Sequence, residues 1–188
     1  MIIQFICRAI LLGVPILYGS TGEIITEKSG HLSLGIPGIM YVGAISGVAG
    51  SFIYEHSVET LNPLLAIFIP LICCLIGAAL MGLLYCFLTV SLRANQNVTG
   101  LALTTFGIGI GNFFGGSLIK LVNTDVPSIS LSKTSMLFKT ELPFADSLGW
   151  IGDILFSYGF LVYVAIAIAL ISSYILNKTR TGLHLRAV

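Results

Sequence analysis

The chain has 188 residues, of which 56% are hydrophobic and only 9% charged, with a mean hydropathy of +1.00 and a net charge of +1. A water-soluble domain carries about 25% charged residues, so a soluble fold is excluded, and the near-neutral balance gives nucleic acid nothing to bind. Strand alternation of the outer-membrane barrel type is not visible, which leaves an all-α, polytopic transmembrane helical bundle of about five spans at roughly 20 apolar residues each, in a single domain over residues 1–188.

The first apolar segment runs from Ile2 to Tyr18 and carries Gln4 and Arg8. It does not read as a signal peptide, because Arg8 interrupts the apolar run instead of preceding it. Residues 20–38 follow as a broken helix. Glu23, Glu27, Lys28, Ser29, Gly30 and His31 lie between two apolar segments, and Gly35, Pro37 and Gly38 complete the break. Charge beside a broken helix in lipid marks a transport route or a structural break that serves one. On a helix Glu23 and Glu27 are four apart and repel, and Lys28 can relieve that repulsion.

The second segment spans Ile36 to Tyr54, with Gly43 and Gly47 at GxxxG spacing and Gly50 beyond. The third runs from Pro63 to Val90, with Asn62 as N-cap and Pro63 at the first helical position. The fourth, Val98 to Val122, holds a tandem GxxxG in Gly107, Gly111 and Gly115. The fifth runs from Trp150 to Leu176, with Asp153 in its first turn, where the helix dipole favours an acid.

Loop charges orient these spans. The stretch after Leu176 holds Lys178, Arg180 and Arg186 and no acid, so the C-terminal end is expected in the cytoplasm. Counting back, the Arg93 loop and the Glu23–Lys28 motif are also inside. The loops at 55–62 and 123–148 are outside, with Trp150 at the outer interface.

Small residues every fourth position let helices approach closely, so Gly43, Gly47, Gly107, Gly111 and Gly115 are helix-packing positions. Asn112 is an amide in an apolar, glycine-rich helix and needs a partner, either another helix or a ligand. Thr104, Thr105 and Phe106 precede it. Thr105 and Asn112 are seven apart and share a face, and Phe106 and Phe113 share the adjacent one. Hydroxyl, amide and aromatic groups in that arrangement can hold a sugar and stack a flat base, although aromatic groups at helical spacing also serve plain packing. The substrate-path candidates are therefore Thr104, Thr105, Phe106, Asn112 and Phe113.

Cys7, Cys73, Cys74 and Cys86 sit in apolar runs without metal-ligand spacing and read as packing residues. The sequence contains no phosphate-cradling loop, catalytic triad or metal cluster. Catalytic and metal residues are thus assigned as none, and ATP-Mg is expected on another chain. Asn97-Val98-Thr99 and Asn177-Lys178-Thr179 match the glycosylation pattern but lie inside in this topology.

Three stretches carry a family resemblance. The first is Gly22-Glu23, Thr26-Glu27-Lys28-Ser29-Gly30-His31-Leu32-Ser33-Leu34-Gly35-Ile36-Pro37-Gly38-Ile39-Met40 and Gly43-Ala44. The others are Leu92 to Thr104 and Thr179 to Val188. Together they resemble permease subunits of bacterial ABC importers for nucleosides and simple sugars, a group within the branched-chain amino acid and ribose-type permeases. Ser33 stands where that family has Asn, and Pro37 where it has Glu. The resemblance implies alternating access within the bacterial inner membrane. It also implies a cytoplasmic ATPase subunit, a second permease subunit and an extracellular substrate-binding lipoprotein as partners. It places Glu23, Glu27 and Lys28 as braces of a break at which Gly30, Gly35 and Gly38 let the backbone bend. The chain would then be the N-terminal portion of a longer permease, stopping before the coupling helices and remaining spans. A second reading is an ion- or proton-coupled secondary transporter or channel using Glu23 or Glu27. A third is a membrane scaffold in which the glycine faces serve assembly alone.

Overall fold

The computed structural model describes residues 2–58, 61–121, 131–139 and 158–186, with no strand among them. The helices are α1 (Ile2–Lys28), α2 (Ile36–Ser57), α3 (Pro63–Cys86) running on into a π-helical turn (Phe87–Ser91), α4 (Gln96–Leu121), α5 (Ser132–Phe138), α6 (Phe160–Lys178) and α7 (Arg180–Arg186). Among the described residues five stretches are long and apolar enough to cross a membrane: Phe5–Lys28, Ile36–Ser57, Pro63–Ser91, Gln96–Gly115 and Phe160–Lys178. The chain is thus a multi-pass membrane protein built as a helical bundle.

The break is shorter than the sequence implied. α1 continues past Tyr18 to Lys28, so Glu23 and Glu27 stand on its last turns and only residues 29–35 are non-helical. The threonine hydroxyls of this stretch are satisfied on the helix itself. Thr21 donates its hydroxyl to the Tyr18 carbonyl at 3.0 Å, and Thr26 donates to that of Glu23 at 2.8 Å. The helix stops where Gly30 turns left-handed, at φ +81°. The Gly30 N–H then reaches the Glu27 carbonyl at 3.0 Å, and the His31 N–H reaches that of Thr26 at 3.1 Å. This paired closure satisfies two carbonyls at the helix end and favours glycine at the left-handed position.

Asn62 occupies the cap position of α3 with Pro63 behind it, but its side chain makes no capping bond. Residues 150–157, with Trp150 and Asp153, lie outside the described residues, as does most of the 123–148 loop apart from α5.

By contacts the chain separates into two compact units, Met1–His31 with Phe138–Val188, and Leu32–Leu137. In the first, α1 and α6 run parallel. The Tyr18 hydroxyl donates to the Leu161 carbonyl at 2.8 Å, and Phe138 stacks on Phe160 with ring centroids 5.7 Å apart. α7 follows α6 after the extended residue Thr179, whose hydroxyl oxygen accepts the Gly182 N–H at 3.3 Å and so caps the short helix. Gly182 packs on the carbonyls of Ile175 and Leu176, where a side chain would collide.

In the second unit α2, α3 and α4 alternate in direction, and α2 packs on both neighbours. Its two small-residue stripes face different ways. Gly43 and Gly47 meet Cys74, Ala78 and the Pro70 carbonyl of α3, whereas Gly38 meets the α4 backbone. Val42, Met81, Tyr85 and Leu103 form the buried cluster between them. At the far end of this unit Thr134 of α5 donates to the Glu55 carboxylate at 3.1 Å.

Candidate functional site

Breaking a helix inside a membrane frees backbone N–H and C=O groups that lipid cannot satisfy. Residues 32–35 solve this with side chains from the neighbouring helices. The Leu32 N–H donates to Oε1 of Gln96 at 3.1 Å, and the Leu32 carbonyl accepts the Tyr85 hydroxyl at 3.2 Å. The Leu34 carbonyl accepts the Thr104 hydroxyl at 2.7 Å. Ser33 is buried, 2% exposed, and its hydroxyl accepts the Gly35 N–H at 3.3 Å, closing the turn from within. Pro37 then enters the first turn of α2, where its missing N–H has no helical partner to lose.

The loop is fastened to a seam in which α2 and α4 meet almost backbone to backbone. A Cβ on Gly100 would lie 2.8 Å from the Leu34 nitrogen, and one on Gly38 would lie 2.6 Å from Cα of Thr104. Further along, Gly107 faces Gly38, Gly111 faces the Tyr41 ring and Gly115 faces Ile45. The tandem GxxxG of α4 therefore matches one stripe of α2, Gly38, Tyr41 and Ile45, at spacings of three and four.

Tyr41 uses the space that Gly111 leaves. Its ring lies across the glycine, where any Cβ would overlap it, and its hydroxyl donates to Oδ1 of Asn112 at 2.9 Å. The amide is thus held by another helix, which was one of the two partners its sequence context required. With Oδ1 engaged, the Asn112 NH2 group supplies two further donors. Tyr41 and Asn112 are both exposed, so this pair lies on an accessible surface of the unit.

The sequence candidates divide between the seam and that surface. Thr104 belongs to the seam and ties down the loop. Thr105 is exposed on the same strip of α4, two turns before Asn112, and returns its hydroxyl to the Leu101 carbonyl at 3.0 Å. Phe106 and Phe113, 53% and 70% exposed, lie about 100° further round the helix. Of the three glycines assigned to bending, only Gly30 has a positive φ. Gly35 has φ −87°, which any residue adopts, and packs against Leu103 and Gly100 of α4, whereas Gly38 lies too close to the α4 backbone for a side chain. Glu23 is half-buried, and Glu27 and Lys28 are exposed at the end of α1.

Tyr41, Tyr85 and Gln96 were not foreseen. The spacing of Tyr41 from Gly38, three residues on the glycine-facing stripe, was the available signal. Tyr85 and Gln96 act over separations of 53 and 64 residues, and a single sequence carries no mark of such pairings.

Comparison with known proteins agrees with this architecture. The guanosine ABC transporter permease protein NupQ of Bacillus subtilis is 28% identical over 175 residues, covering 93% of this chain and 52% of that protein. The nucleoside ABC transporter permease protein NupC of Lactococcus lactis is 29% identical over 184 residues, covering 97% of this chain and 55% of its own length. A putative glucose ABC transporter permease protein, TsgC13 of Haloferax volcanii, is 28% identical over 173 residues, covering 92% and 47% respectively. The chain therefore spans about half the length of the curated relatives it matches. No solved structure matches it. The profile of the family described as branched-chain amino acid transport system / permease component matches residues 5–188, and the chain belongs to that family.

Proposed function

We propose that this chain forms part of the membrane path of an ATP-driven importer whose substrates are nucleosides. The observation that carries the reading is its similarity, over more than nine-tenths of its length, to two permeases named for guanosine and nucleosides. The Tyr41–Asn112 pair on the α2–α4 surface suits such a cargo. An amide held at Oδ1 offers two N–H donors to the carbonyl and ring-nitrogen acceptors of a base or the hydroxyls of a ribose. Thr105 adds a hydroxyl on the same strip.

In this reading a substrate-binding lipoprotein delivers the nucleoside outside, and a second permease subunit completes the enclosure. A cytoplasmic ATPase subunit carrying ATP-Mg drives alternating access. The close approach of α2 and α4 at Gly38, Gly100 and Gly107 couples the fastened loop to the Tyr41 surface, so that they move as one body. The Arg93 loop and the break at 29–35 lie on the cytoplasmic side with the Lys178 and Arg180 end, in keeping with the positive-inside rule. The Leu32–Gln96 bond already places the break and the start of α4 at one end of their unit.

The test is substrate-stimulated ATPase activity of the reconstituted transporter containing this chain, with purine nucleosides, pyrimidine nucleosides and pentoses compared at equal concentration. Stimulation by nucleosides above pentoses is expected. Stimulation by pentoses alone, or by none of them, refutes the assignment.

A further inference from the structure

The ends of α1 and α6 enclose a small groove of about 140 Å³ in the first unit. Thr21, Ile24 and Lys28 form one wall at helical spacing, and Ala169, Ser172 and Asn177 lie along the other. Its composition is graded. Ile24 and Ala169 supply apolar surface, and Lys28 and Asn177 supply a cation and an amide where both helices terminate. Lys28 and Lys178 occupy the last turns of their helices, so two cations gather at the same end of the parallel pair. The two carboxylates of α1, Glu23 and Glu27, do not line the groove. The groove belongs to a different unit from Tyr41 and Asn112.

We infer that this groove binds the headgroup of an anionic phospholipid. An apolar slot that ends in a lysine, a hydroxyl-bearing turn and an amide matches the order of groups along such a lipid, acyl chain first and phosphate last. Basic recesses between membrane helices near the cytoplasmic surface take anionic headgroups on the same physical grounds. The phosphate sits against Lys28, with Ser172 donating to its oxygens, while the Asn177 amide nitrogen donates to the Ser173 hydroxyl at 3.3 Å on the same wall. Lys178 and Arg180 raise the local positive potential.

Delipidated protein in neutral detergent, studied by native mass spectrometry with phosphatidylglycerol or phosphatidylcholine of identical chains, tests this. Phosphatidylglycerol should bind about fivefold more tightly, the worth of one cation near a surface. Lys28→Gln should bring the two lipids to parity, whereas Lys28→Arg keeps the preference. Circular dichroism of each variant verifies its helix content, and Lys28 is exposed, so both should fold. Equal binding of the two lipids by the native chain, or an unchanged preference in Lys28→Gln, overturns the inference. Displacement of phosphatidylglycerol by an equal concentration of glycerol 3-phosphate also overturns it, because the site would then serve a soluble phosphate.

Discussion

Gly107 of α4 lies against Gly38 of α2 so closely that a Cβ added to Gly107 would stand 2.7 Å from the Gly38 carbonyl oxygen and 2.9 Å from its Cα. Real Cβ atoms do not approach backbone at such distances, so Gly107→Ala must push the helices apart. Overpacking of this kind costs about 1–3 kcal/mol. Gly109, two residues on, has nothing within 4 Å of a built Cβ. Gly109→Ala should be neutral or gain up to about 1 kcal/mol from helix propensity. Unfolding of the two variants in mixed detergent micelles should separate them clearly. Equal stability would mean that the seam is not close-packed.

Gly30 closes α1 at φ +81°. Its built Cβ meets nothing within 4 Å, so the cost of a side chain there is conformational and not steric. Gly30→Ala should cost about 1–2 kcal/mol, the price of a left-handed L-residue. Gly30→Asn should cost less, since Asn tolerates that region. Equal losses for Ala and Asn would instead implicate the space around the residue.

Which parts of this were legible follows from how each is encoded. The spans were readable because lipid demands long apolar runs, and α2 and α3 begin at Ile36 and Pro63 as their Gly and Pro signals imply. The glycine stripes were readable as packing surfaces, but not which helix each one meets. That choice depends on residues such as Cys74 and Tyr41, about 30 and 70 positions away from the glycines they cover. The length of the break was overestimated because the charges of Glu23, Glu27 and Lys28 read as its start, yet all three stand on the last turns of α1. Thr104 and Thr105 were grouped as adjacent polar residues. A turn of about 100° per residue sends one into the seam and the other to the surface.

The loop at 32–35 depends on borrowed partners. Thr104→Val keeps the shape of the side chain and removes the donor to the Leu34 carbonyl, now 2.7 Å away. The bond is solvent-accessible, so its loss costs the net worth of one hydrogen bond, about 0.5–1.5 kcal/mol. Hydrogen exchange in a peptide covering residues 31–36 should accelerate several-fold, in line with that loss of local stability. Thr105→Val, whose hydroxyl only returns to its own helix, should leave the same peptide unchanged. Acceleration in both variants would show a general loosening of α4 instead of a specific tie.

The position of Glu23 and Glu27 on the last turns of α1 bears on proton coupling. Glu27 is exposed, and neither residue belongs to the unit that carries Tyr41 and Asn112. Glu23→Gln and Glu27→Gln should each leave ATP-dependent uptake within about twofold of the native rate, a change of about 0.5 kcal/mol or less, the scale of an exposed substitution such as Glu27→Gln. Collapsing the proton gradient with an uncoupler in ATP-loaded vesicles should also leave uptake intact. Uptake that follows the gradient and disappears in either variant would establish the ion-coupled reading instead.

The Tyr41–Asn112 pair separates a packing role from a substrate role. If the hydrogen bond serves only to join α2 and α4, Tyr41→Phe and Asn112→Leu should lower stability alike and leave uptake per folded protein untouched. If the amide also meets the nucleoside, the two variants diverge. Tyr41→Phe removes the anchor but keeps the Asn112 amide, so uptake should fall modestly. Asn112→Leu removes the donors that substrate would use, and uptake should fall by about tenfold, the worth of a hydrogen bond of roughly 1–1.5 kcal/mol. The expected signature is an effect on uptake that exceeds the effect on unfolding. The double variant should resemble Asn112→Leu alone, because the anchor has no further function once the amide is gone. Additive losses in uptake would place the tyrosine and the amide in separate roles. A normal uptake rate for Asn112→Leu in reconstituted vesicles would remove this surface from the path altogether.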